Sequence, residues 1–117
     1  TIIPAGEGFV GIMGDRKQKD VHKASAQNAL IYAKKQIMSK KWQTVILDEI
    51  NGAIEGGLVR LKDALDLIKS RPDEMNLVLT GREAKPEIIA EADLVTEMKK
   101  IKHPYDSGIL AKKGVDF

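Results

Sequence analysis

The sequence predicts an α/β domain, a parallel sheet with flanking helices, and three observations carry that expectation. Two apolar, β-branched stretches, Val45-Ile46-Leu47 and Leu77-Val78-Leu79, are too short for helices and run directly into polar residues. Apolar residues at helical spacing fill the segments before, between and after them. The connections are short, and a helix between successive strands is what a crossover between parallel strands requires. The 117 residues suffice for a single domain with its own core, spanning 1–117, and not for two.

Taken in order, Thr1-Ile2-Ile3 reads as a short strand with no lead-in, so the chain is expected to start in mid-fold. Residues 6–14 carry four glycines and suit a loop. Over 22–39, Ala26, Leu30, Ala33 and Ile37 recur at helical spacing while Lys23, Gln27 and Lys34 take other directions, which predicts a helix. Residues 42–50 read as a buried parallel strand that meets Asp48 and Glu49 at its C-terminal edge. Leu58, Leu61, Leu65 and Ile68 form the next helical stripe, ended at Arg71-Pro72 because proline disfavours the helical conformation in the residue before it. A second strand is predicted over 76–80, running into Gly81-Arg82. Pro86 suits the first turn of a helix bearing Ile88, Ile89 and Ala92, with Glu87 and Glu91 toward its positive end. Residues 94–98 read as a further strand, and 103–117 resist assignment and are expected to lie over the sheet's edge or face.

Charge and composition bound the partners. Nineteen basic against seventeen acidic residues leave +2, too little to argue for nucleic acid or an anionic membrane. The net value hides a split: 1–47 hold eight basic and three acidic residues, 48–97 six and twelve, and 98–117 five and two. Lys23, Lys34, Lys35, Lys40 and Lys41 fall in a stretch from Val21 to Leu47 without a carboxylate. That basic stretch reads either as a solvated helix with snorkelling lysines or as attraction toward a polyanion. The absence of cysteine excludes disulfides, thiolate metal sites and cysteine nucleophiles, and fits a reducing compartment, so a cytoplasmic location is expected. The apolar runs fall far short of a membrane span.

Gly6-Glu7-Gly8-Phe9-Val10-Gly11 matches G-x-G-x-x-G. That fingerprint should open a helix directly and meet an acid for the ribose about 20 residues later, yet Gly14 and Asp15 intervene and no acid lies between Asp20 and Asp48. A glycine loop satisfying turn geometry is the better reading. Neither a G-x-x-x-x-G-K-[ST] loop nor a nucleophile elbow around Ser25, Ser39, Ser70 or Ser107 occurs, and His22 and His103 lack metal-ligand spacing. Val45 to Glu49, in contrast, is the kind of strand that ends in a Walker B acid pair, whose carboxylates hold Mg²⁺ directly or through water and help neutralise nucleotide phosphates. Its alternative is a strand tipped by ordinary solvated acids. Leu79-Thr80-Gly81-Arg82 ends a second strand at the same edge, where open α/β sheets bind ligands, and Arg82 is placed to contact a phosphate or a partner carboxylate.

Together, VILDEI at 45–50, the helix ending in Arg71-Pro72, LVLTGR at 77–82, the largely apolar 88–98, and Lys102-His103-Pro104-Tyr105-Asp106-Ser107-Gly108 with the closing Gly114-Val115-Asp116-Phe117 resemble one family. It is that of the ATP:corrinoid adenosyltransferases of the cobalamin pathway, in the branch with a RecA-like P-loop fold. The resemblance runs from about Gly8 to Phe117. It implies transfer of the 5′-deoxyadenosyl group from ATP to the cobalt of a reduced corrinoid, with release of tripolyphosphate, in a homodimer that uses Mg²⁺ and an electron-donating reductase. Cobalt(I) is then the nucleophile, so no side-chain nucleophile is required. Glu49 matches the family's metal-binding acid, with Asp48 beside it at the metal and nucleotide, and Arg82, Lys102 and His103 become candidates for ligand or subunit contacts. Phe9, next to Gly8, matches an aromatic residue near the corrin that helps displace the lower axial ligand and so eases reduction of cobalt(II).

The chain departs from that family in two places. Two positions after Phe9, where a better-known branch has tryptophan, stands Gly11. The family's opening strand, P-loop and first helix have no counterpart, although a βαβ unit needs about 30 residues. The chain is therefore expected to be the C-terminal portion of a longer adenosyltransferase domain, inactive alone, with a raw sheet edge that promotes self-association or altered packing. The alternative is a non-catalytic α/β corrinoid-binding or interaction module.

Overall fold

A computed structural model describes residues 1–5 and 19–113. The first element is helix α1 (Lys19–Met38), which buries Leu30, Ala33 and Ile37 along one stripe, as the spacing predicts. Its Gln27 side chain donates to the Leu58 carbonyl at 3.2 Å and its Ser25 hydroxyl donates to the Ala5 carbonyl at 3.1 Å. Strand β1 (Thr44–Leu47) follows, then helices α2 (Ile50–Glu55) and α3 (Leu61–Lys69), strand β2 (Asn76–Leu79) and helix α4 (Pro86–Glu91). A 3₁₀ turn, Pro104–Ser107, lies in the C-terminal segment.

The two strands pair in parallel, with Val45 opposite Leu77, Ile46 opposite Val78 and Leu47 opposite Leu79. The parallel pair and the helical crossover match expectation, except that two helices make the crossover. The helix-breaking role of Arg71-Pro72 also holds, because α3 stops at Lys69. The Arg71 guanidinium then donates to the carbonyls of Asp73 and Met75, at 3.2 and 2.7 Å, which shapes the approach to β2. Pro86 occupies the first turn of α4. Lys85 pairs with Glu55 of α2, and Lys69 of α3 pairs with Glu91 at 3.1 Å, so α4 is tied to both crossover helices. The Glu55 carboxylate accepts a hydrogen bond from the Lys85 ammonium and raises its pKa.

Strand period and register decide which face is covered. Val45, Leu47, Leu77 and Leu79 share the face that packs against Leu30, Ala33, Ile37, Ile54, Val59, Ala64, Leu67, Met75 and Ile88. Ile37 and Leu67 are the largest fully buried side chains among the described residues. Ile46 and Val78 point the other way and are 61% and 40% exposed, so the expectation of strands buried between helices on both faces is corrected. Among the described residues nothing covers that second face.

Two predicted strands are also corrected. Residues 1–5 and 94–98 hold no strand; Ile2 is 95% exposed, Leu94 84% and Met98 94%. β-Branched or apolar sequence suits a pleated surface, but a strand exists only where a neighbouring edge takes its N–H and C=O groups. The predicted loop over 6–14, with its glycine motif, lies outside the described residues.

Exposed Ile46 and Val78, beside unpaired backbone on the outer sides of a two-stranded sheet among the described residues, form a surface that favours pairing with another chain. We expect the 117-residue chain to self-associate. Light scattering should give a mass above the monomer's, and Ile46→Lys should bring it down; a strictly monomeric parent would refute this.

Helix α3 opens with Arg60 as its N-cap residue, and the guanidinium Nε and Nη2 each donate to the Asp63 carboxylate at 2.8 Å. Those hydrogen bonds hold the Asp63 carboxyl below its ordinary value. A lowered folded pKa means the contribution is present above the unfolded pKa and disappears as pH falls through the folded value. Asp63→Asn should therefore leave a smaller loss of melting temperature between pH 7 and about pH 3 than the parent shows. An unchanged pH dependence would count against the pair.

Candidate functional site

The two strands end side by side, and the residues that follow them form one cluster. Because Leu47 pairs with Leu79, the next positions bring Asp48 next to Thr80. Thr80 ties the whole β1–α2 turn together. Its backbone N–H donates to the Leu47 carbonyl at 3.2 Å, and its own carbonyl accepts from the Asn51 N–H at 3.2 Å. Its hydroxyl donates to Asp48 Oδ1 at 2.6 Å and accepts from the Glu49 N–H at 2.9 Å. An ionised carboxylate only accepts and an amide N–H only donates, so this division of the hydroxyl's proton and lone pair follows from the partners.

Glu49 sits in the left-handed region at φ 58°, ψ 19°, as the residue that opens α2. That conformation is disfavoured for a residue with a Cβ by roughly 1–2 kcal/mol and persists only where surrounding contacts over-determine it. The Thr80 hydroxyl and the start of α2 supply those contacts. The Glu49 carboxylate turns back over Gly52, where an added Cβ would stand 3.4 Å from Oε2. Gly81, at φ 119°, lies so close to α2 that a Cβ there would meet Asn51 Cβ and Gly52 N at 3.2 Å each. Glycine is required at this approach for both conformation and space.

Asp48 and Glu49 are exposed, whereas Asn51 is only 6% exposed and its Oδ1 has no hydrogen-bond partner among the described residues. A buried carbonyl oxygen without a donor is unfavourable by about 1–3 kcal/mol and calls for a cation, a water or a ligand donor. Hard oxygen donors of this kind suit Mg²⁺, which is commonly held by one or two carboxylates with the remaining positions filled by waters and phosphate. Asp48 and Glu49 are donors of that chemical kind, although no group of three or more His, Asp or Glu that could hold a metal assembles among the described residues.

Of the residues expected at a site, Asp48 and Glu49 follow one another at the end of β1, and Arg82 lies two residues beyond Thr80, exposed and with no ion-pair partner among the described residues. Lys102 and His103 are exposed in the C-terminal segment, where His103 Nδ1 accepts from the Tyr105 N–H at 3.1 Å. No hydrogen bond or ion pair among the described residues joins them to the strand ends. Gly8 and Phe9 lie outside the described residues. Asn51 and the clamping role of Thr80 were not anticipated. Once the strands are in register, a hydroxyl residue opposite Asp48 is the signal for Thr80; a lone Asn in a mostly apolar helix is a weak one.

Fold and site define a parallel α/β protein with an acid pair at the C-terminal edge of its sheet, the position where open sheets bind ligands. The model of the ATP:corrinoid adenosyltransferase family BtuR/CobO/CobP matches residues 1–117, and the chain belongs to that family. It is 43% identical over 113 residues to a corrinoid adenosyltransferase from Sinorhizobium sp, covering 96% of this chain and 51% of that one. The corrinoid adenosyltransferase of Pseudomonas aeruginosa is 42% identical over 112 residues, with coverage of 96% and 54%. That of Escherichia coli K12 is 25% identical over 107 residues, with coverage of 92% and 55%. The chain thus spans about half the length of the curated relatives it matches. No helix among the described residues is long and apolar enough to cross a membrane.

Proposed function

We propose that the protein carrying this chain transfers the 5′-deoxyadenosyl group of ATP to the cobalt of a reduced corrinoid, and that the strand-end cluster is its metal and nucleotide site. The cobalt(I) electron pair attacks C5′ of ATP, a cobalt–carbon bond forms, and the C5′–oxygen bond breaks with its pair leaving on tripolyphosphate. A reductase supplies the corrinoid in its reduced state. The chain's residues then position substrates and balance charge, and the reaction requires no side-chain nucleophile.

The observation that carries the site reading is the Thr80 clamp, whose hydroxyl holds the Asp48 carboxylate and the Glu49 backbone N–H at one sheet edge. Glu49 and Asp48 would hold Mg²⁺, which when bound supplies charge neutralisation for the triphosphate. Arg82, exposed and two residues beyond Thr80, would meet a phosphate oxygen. Phe9 and Gly8 would shape the corrin side, as the family resemblance implies. The parallel strand pair supports a RecA-like arrangement, and the uncovered Ile46–Val78 face supports burial against further structure in a homodimer.

The direct test is formation of an adenosylated corrinoid, followed by its absorbance, from ATP and chemically reduced corrinoid with Mg²⁺ and the protein that carries this chain. Appearance of the product with stoichiometric tripolyphosphate is expected. Corrinoid binding without turnover would replace this reading with a binding module.

A further inference from the structure

One residue of the cluster has no part in the chemistry proposed above, yet it touches nearly all of the turn that carries the acids. We infer that Thr80 is the positioning residue of the site, its hydroxyl holding the Asp48 carboxylate and the left-handed Glu49 backbone in one arrangement so that the Glu49 carboxylate stays in place as the ligand for a divalent cation. The inference rests on the proposed metal role of the acid pair and divides labour within it.

Three observations lead there. Thr80 bonds to Leu47, Asp48, Glu49 and Asn51, four of the five residues from the end of β1 to the second residue of α2. The hydroxyl's only proton goes to Asp48 Oδ1 at 2.6 Å, so one face of that carboxylate is already engaged. Its lone pair receives the Glu49 N–H, the amide of the residue with the disfavoured φ of 58°. Without the hydroxyl, Glu49 loses the contact that offsets its left-handed conformation, and the turn can relax toward ordinary backbone, carrying the carboxylate away. Asp48 then acts through Thr80 as an anchor, and Glu49 does the binding.

The test compares the parent chain with Thr80→Val, which keeps the shape and removes the hydroxyl, and Thr80→Ser, which restores it. Amide hydrogen–deuterium exchange at Glu49, read by mass spectrometry with single-residue fragmentation, should speed up about tenfold in the valine variant and return to within about twofold of the parent in the serine variant. Affinity for Mn²⁺ alone should follow the same pattern, falling about tenfold and recovering. A valine variant with faster exchange but parental Mn²⁺ affinity would reduce Thr80 to a structural residue and overturn the inference. So would a serine variant that fails to recover, or unchanged exchange at Glu49. If the parent binds no Mn²⁺, the metal reading of the acid pair falls, while the exchange data still decide whether Thr80 holds the turn.

Discussion

Glu49→Ala in the protein that carries this chain is expected to slow adenosyl transfer about a hundredfold or more while the fold persists. Glu49 is exposed, and its carboxylate makes no hydrogen bond among the described residues, so its removal deletes charge without opening a cavity. Its backbone sharpens the expectation. At φ 58° a side chain is a liability for stability, so Glu49→Gly should raise the unfolding free energy by up to about 1 kcal/mol while losing activity to the same degree as alanine. Gain of stability with loss of turnover in one substitution separates a functional carboxylate from a structural one. Thermal melts and single-turnover rates, both at saturating Mg²⁺, make the comparison. A Glu49→Ala rate equal to the parent's would remove the residue from the site.

The second large effect concerns the glycine that lets the strand ends meet. Gly81→Ala should destabilise the chain by about 2–3 kcal/mol, from a φ of 119° that a Cβ resists and from contacts of 3.2 Å with the Asn51 Cβ and the Gly52 N. Those neighbours are backbone and a buried side chain, so they cannot swing aside as a flexible surface chain would. The damage should not stay local. Pushing β2's end off α2 strains the Asn51 N–H to Thr80 carbonyl bond and with it the hydroxyl clamp, so Mn²⁺ affinity should fall along with the denaturation midpoint. Gly57, also left-handed at φ 70° but with open space around its missing Cβ, serves as the comparison: Gly57→Ala should cost less and leave Mn²⁺ affinity intact. Equal effects at the two glycines would mean that conformation alone, not the close approach, governs position 81.

Several features could be read directly from the chain because their signals are local. The spacing of Leu30, Ala33 and Ile37 is the period of a helix, Pro86 starts one, and Arg71-Pro72 stops one. Short apolar runs ending in Asp48-Glu49 and Thr80-Gly81 mark strand ends, and both runs do pair in parallel. The errors have a common cause. Residues 1–3 and 94–98 are as suited to strands as 44–47 by composition, but pairing is a property of two segments, and no neighbouring edge meets them among the described residues. Helix α2 was hidden for a related reason: six residues with two polar members leave too little periodicity to register.

The same division holds at the site. Residue type alone pointed to Asp48 and Glu49 as acids at a strand end and to Arg82 as a nearby cation, because charge and position in the chain are all such an inference needs. Which acid the hydroxyl clamp engages and why Glu49 tolerates a left-handed backbone depend on Thr80, which is 32 residues from Asp48 in sequence and 2.6 Å away in space. Register creates that contact. A local pattern can state the chemistry available at a strand tip, but the hydrogen bond that directs it exists only after β1 and β2 have closed against each other.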